Sequence, residues 1–82
     1  MRVSADISLY PLQEDLIPPI RDVIERLNQD PELDVVTNPM STQIRGDYDR
    51  VMGLLQAELK TTFEALPKAV FVIKILNNPI AD

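Results

Sequence analysis

Seven prolines (Pro11, Pro18, Pro19, Pro31, Pro39, Pro67 and Pro79) divide this chain into short segments, and the hydrophobic period changes from one segment to the next. Proline has no amide hydrogen and a fixed φ, so it is tolerated best at element boundaries and in the first turn of a helix. Each segment should therefore hold one element. From Arg2 to Tyr10 the apolar Val3, Ala5, Ile7 and Leu9 alternate with Arg2, Ser4, Asp6, Ser8 and Tyr10. That period of two predicts a strand with one face in a core, ended by Pro11. Asp15 is the expected N-cap of a following helix with Pro18 and Pro19 in its first turn. Leu16, Ile20, Val23, Ile24 and Leu27 form a single stripe on it, and Asn28 to Pro31 closes it.

Leu33 to Thr37 is rich in β-branched residues and reads as a second strand, and Asn38-Pro39 turns the chain into a third strand from Met40 to Arg45. So short a link requires an antiparallel hairpin. Gly46 is expected to supply a turn and Asp47 to cap a second helix running to about Phe63, with Tyr48, Val51, Met52, Leu55, Leu59 and Phe63 buried. Gly53 within it is read as a tolerated glycine, at a cost of roughly 1 kcal/mol relative to alanine. Beyond Pro67, Ala69 to Leu76 is the most apolar segment and a fourth strand, ending before Pro79. The order β-α-β-β-α-β with right-handed crossovers gives an α+β ferredoxin-like sandwich. In it a four-stranded antiparallel sheet, its first and third strands central, carries both helices on one face. The whole of 1–82 is read as one such domain.

Hydrophobic residues at 45% and charged ones at 26% suit a folded domain, although a core this small would gain from association with a second copy. The chain has no cysteine and no histidine, which removes disulfides, zinc-thiolate sites, thiol nucleophiles and the commonest general base. With a net charge of -5 and no basic cluster, a phosphate backbone is repelled, so nucleic acid is not an expected partner. Met1 to Asp6 lacks the apolar region of a signal peptide, and no run is long enough to cross a bilayer. The expectation is a cytoplasmic protein with no membrane partner and no metal or cofactor.

If the alternating apolar residues point at the helices, the open face of the sheet carries Ser4, Asp6, Ser8, Tyr10, Ser41, Gln43, Arg45, Val70, Val72, Lys74 and Leu76. A merely solvated face does not need the three aliphatic residues, and a purely apolar interface does not want Asp6 and Arg45. One reading is a subunit interface in which Asp6 pairs with Arg45 or Lys74. A second reading adds a pocket there. Serine, glutamine and tyrosine are neutral donors and acceptors suited to the edge of a heterocycle, and Asp6 can accept from an amino group or balance a cation. Thr42, by alternation, faces the helices instead.

Ser8-Leu9-Tyr10-Pro11-Leu12, Pro39-Met40-Ser41-Thr42-Gln43-Ile44-Arg45-Gly46 and Val72-Ile73-Lys74-Ile75, in this order and separation, resemble the thiamine and hydroxymethylpyrimidine-binding domains of the YkoF type. The resemblance extends over essentially the whole chain. It implies a non-enzymatic ferredoxin-like domain that assembles as a homodimer or homotetramer and binds thiamine or hydroxymethylpyrimidine. Carried onto matching positions, it makes Ser8, Tyr10, Ser41, Thr42 and Gln43 candidate ligand contacts, beside Asp6 and Arg45 from the open face. The YkoF pattern has two such domains in tandem, so a homodimer of this chain would take the place of the pair. The acidic balance fits a cationic thiazolium better than a pyrophosphate. Acylphosphatases share the fold but carry a glycine-rich phosphate loop after the first strand, where this chain has Pro11-Leu12-Gln13-Glu14-Asp15. The remaining competitor is a self-association module without a ligand.

Overall fold

In the computed structural model, which describes residues 1–77, the elements are β1 (Arg2–Pro11), α1 (Ile17–Leu27), β2 (Asp34–Thr37), β3 (Thr42–Asp47), α2 (Tyr48–Ala65) and β4 (Ala69–Asn77). All pairings are antiparallel and the sheet order is β2-β3-β1-β4, so the expected ferredoxin-like sandwich with β1 and β3 central is borne out. Alternation does the work. Ala5 faces Ile44 on one side and Ile75 on the other, while Asp6 faces Gln43 and Lys74, which separates a core face from an open face. Val3, Ala5, Ile7 and Ile44 of the sheet meet Val23 and Leu27 of α1 and Val51 and Leu55 of α2, with Leu33 closing the end of the core.

Several expectations are corrected. β1 does not stop before Pro11 but runs through it, pairing with Ala69. The ring is tolerated because the ladder with β3 ends at the Ile7–Thr42 pair, so no strand flanks that side at Pro11. Asp15 does not cap α1; Leu16 holds the N-cap position with no side-chain cap bond. A cap side chain bonds the second or third amide of the helix, and here Pro18 and Pro19 have none to give. β3 starts at Thr42, not Met40. Asn38 Oδ1 accepts from Met40 N (2.8 Å) and Ser41 N (3.0 Å), holding both residues in the loop and leaving Met40 85% exposed.

Gly46 is not a turn residue: it lies within β3 opposite Val3. A Cβ there would collide with Leu33 Cδ2, so the glycine makes room for a core side chain. Asp47 does cap α2, accepting from Asp49 N at 3.1 Å. A Cβ at Gly53 would meet nothing within 4 Å among the described residues, as expected of a tolerated glycine. On α2, however, Tyr48 and Phe63 are exposed, and the buried stripe includes Glu58 and Thr62. Ile75, on the helix side of β4, is also exposed. Pro79 lies outside the described residues.

Polar ties hold the helices in place. Arg26 Nε donates to both Glu58 oxygens (2.8 and 3.0 Å) across α1 and α2. Asp30, after α1, accepts from Glu32 N (2.9 Å) and from Arg50 Nη2 of α2 (2.7 Å). These bonds, the Glu32 amide first and then the Arg50 guanidinium, hold the Asp30 carboxyl below its ordinary range. Because the folded form then binds protons less readily than the unfolded chain, this contribution is complete above the ordinary aspartate range and fades as pH falls through it, below about pH 4. Asp30→Asn should accordingly flatten the acid limb of stability against pH, as read by urea titration between pH 6 and pH 3. An unchanged limb would refute the tie.

Candidate functional site

Between the end of β1, the first turns of α1 and the β2–β3 loop lies a cleft of about 490 Å³. It opens on the helix side of the sheet. Ile7, Pro11 and Thr42 form its sheet wall by alternation, and Leu16, Ile20 and Val23 form the α1 wall at steps of four and three. Leu12, Leu16 and Met40 leave large apolar surface exposed around it. No residue lining it, among those described, carries a charge.

The polar groups of the cleft are few and arranged. Thr37 and Thr42 face each other across β2 and β3, with their hydroxyl oxygens 3.1 Å apart. One hydroxyl must donate to the other, which leaves the pair one free hydrogen and spare lone pairs. Ser41 Oγ donates to Asp6 Oδ1 at 2.5 Å, so its oxygen is free to accept. Asp6 is also 3.7 Å from Lys74 Nζ, a pairing within one chain of the sort expected between chains. Asn38, whose side chain is committed to its own loop, makes that wall rigid.

The seven residues singled out from sequence divide between two places. Ser8, Tyr10, Ser41 and Thr42 line the cleft, and Asp6 reaches it through Ser41. Gln43 and Arg45 do not: with Asp34, Val35 and Val36 they line a separate hollow of about 340 Å³ at the β2 end of the sheet. The sequence reading missed the α1 wall, Leu12 and Thr37. Two signals are present, the apolar Leu12 and Ile17 that adjoin the first stripe residue, Leu16, without belonging to the stripe, and two threonines at matching positions of a short hairpin. Among the described residues no group of three or more acidic, histidine or cysteine side chains is placed to hold a metal, and no helix is long and apolar enough to cross a membrane.

The class defined by this fold and site is a small ferredoxin-like domain with a neutral, largely apolar cleft between its sheet and first helix. Within that class the chain belongs to the thiamine-binding protein family, whose sequence profile matches residues 5–79. Among solved structures it is similar to a Streptococcus pneumoniae protein, 25% identical with a TM-score of 0.89, the match covering 100% of this chain and 92% of that one. A Methanocaldococcus jannaschii protein is also 25% identical, with a TM-score of 0.82 over 95% of this chain and 81% of its own. A candidate thiamine biosynthesis/salvage protein of Thermotoga maritima, 19% identical, shares the fold with a TM-score of 0.83 over 92% of this chain and 82% of that one. No curated protein matches the chain.

Proposed function

We propose that this chain is a non-enzymatic cytoplasmic binding protein for thiamine or its hydroxymethylpyrimidine moiety, and that the ligand sits in the cleft beneath α1. The observation that carries the reading is a cleft of about 490 Å³, apolar in its walls and furnished with the paired Thr37 and Thr42 hydroxyls, in a member of the thiamine-binding family. That volume falls in the range of small-ligand sites, roughly 300 to 1,000 Å³. Ile20, Val23 and Pro11 would sandwich an aromatic ring. The free hydroxyl hydrogen of the Thr37–Thr42 pair suits a ring nitrogen, and the Ser41 oxygen suits an exocyclic amino group.

The unphosphorylated compound is the better fit. A helix start binds anions through its free amides, and Pro18 and Pro19 remove two of those from α1. Glu14 and Asp15 add negative charge just ahead of them. Self-association into a homo-oligomer belongs to the same reading, supported by the exposed Val36, Val70, Val72 and Leu76 of the open face.

Thermal unfolding with millimolar thiamine, hydroxymethylpyrimidine and thiamine diphosphate tests the reading. At about a hundred times its dissociation constant a ligand adds roughly 2.7 kcal/mol, a shift on the order of ten degrees for a domain of this size. Neighbouring residues on opposite faces of β3 then locate the site. Thr42→Val should abolish most of the shift and Gln43→Ala should leave it. The reverse result would move the ligand to the open face, and no shift with any of the three would favour a self-association module without a ligand.

A further inference from the structure

In a middle strand of an antiparallel sheet the N–H and C=O of one residue point to the same neighbour, and successive residues point to opposite neighbours. For β1, one bond at each end fixes which residues point where. Leu12 N donates to Lys68 O at 3.1 Å, in register with the β1–β4 ladder, so Tyr10 and Ser8 also address β4. Tyr48 N donates to Met1 O at 2.9 Å, in register with the β1–β3 ladder, so Val3, Ala5, Ile7 and, by the same count, Leu9 address β3. That ladder ends at the Ile7–Thr42 pair. The next partner in register is Met40, whose amide Asn38 Oδ1 holds in the loop at 2.8 Å. Among the described residues nothing therefore bonds the N–H and C=O of Leu9, and both point across the cleft that Leu9 lines.

Resting on the reading of this cleft as an aminopyrimidine site, we infer that Leu9 binds the ligand through its backbone. Its N–H donates to a ring nitrogen, and its C=O accepts from the amino group beside that nitrogen. A ring nitrogen next to an amino group is an acceptor beside a donor, the complement of what one extended residue presents to an opposing strand. A ligand that displaces water from the cleft must satisfy both groups or forfeit their hydration, and this edge satisfies them together. The pair is held in place before the ligand arrives. The Leu9 side chain packs against the core, and Ser8 and Tyr10 on either side are tied to Val72 and Val70 of β4. Pro11, the next residue to address this side, has no N–H, so the free edge is too short a ladder for a peptide strand. The Thr37–Thr42 hydroxyl is then left for the second ring nitrogen and the Ser41 oxygen for the second amino hydrogen.

Amide hydrogen exchange of the full chain, followed by NMR with and without saturating hydroxymethylpyrimidine, is the test. In the free chain the Leu9 amide should exchange at least about a hundredfold faster than the Ser8 and Tyr10 amides of the β1–β4 ladder. The compound should slow Leu9 at least about tenfold. Leu9→Pro deletes the N–H without removing a ladder bond, as Pro11 does two residues on. It should bind hydroxymethylpyrimidine at least about tenfold more weakly than Leu9→Ala, which loses the same side chain but keeps the amide. If Leu9→Pro does not fold, the exchange rates decide. A Leu9 amide as protected in the free chain as its neighbours overturns the inference. So does Leu9 exchange that bound compound leaves unchanged, and so does equal binding by the two variants. In each of those cases a melting shift of the native chain with hydroxymethylpyrimidine leaves the cleft reading standing, whereas no shift overturns both.

Discussion

Leu27→Ala should remove a large share of the stability of this domain. Leu27 is 0% exposed and stands in the last turn of α1 against both the sheet and α2. Truncating a buried leucine costs about 3 to 4 kcal/mol, because the contacts of the lost atoms disappear and the cavity collapses only in part. For a chain of this length the whole stability is only roughly 4 to 12 kcal/mol. The urea midpoint should therefore fall by about 2 M or more with little change in slope. Leu12→Ala supplies the contrast: that side chain is exposed at the cleft mouth, and its loss should change stability by less than about 0.5 kcal/mol. A loss under about 1 kcal/mol for Leu27→Ala would mean that the core is not centred where the structure puts it.

Leu27 was legible in the sequence because it belongs to a stripe of period 3.6, and the strands were legible because their period of two is hard to imitate. What alternation and periodicity cannot register is a pairing made in three dimensions. Glu58 and Thr62 lie on a face of α2 that a hydrophobic count calls wet, yet both are buried, since Arg26 reaches them from another helix. The same count assigns Phe63 to the core, whereas it is exposed beside β4. Gly46 reads as a turn because glycine usually serves backbone freedom; its purpose here is the absence of a side chain where Leu33 packs, which no local rule encodes. The candidate site shows the same division. Its β1 and β3 residues were found through motif resemblance, whereas its α1 wall exists only because the helix stands away from the sheet at that end.

Removing Arg26 should be more damaging than removing its partner. The Glu58 side chain is 6% exposed and that of Arg26 is 34%, so a guanidinium left alone can turn to water and a carboxylate left alone cannot. The Glu58 hydrogen bond already holds the Arg26 guanidinium above its ordinary range, a sign that the pair favours the charged state. Among the described residues, Arg26→Met leaves the carboxylate with only the Thr62 hydroxyl, 3.4 Å away, and should cost about 3 kcal/mol or more. Glu58→Gln keeps an acceptor for Arg26 and should cost about 1 to 2 kcal/mol. Replacing both residues by methionine should come within about 1 kcal/mol of the native chain, since the charges leave together. Urea titration of the three variants at pH 7 reads these costs. Equal costs for the two single variants would show that Glu58 reaches water after all and that packing, not the ion pair, locks α1 to α2.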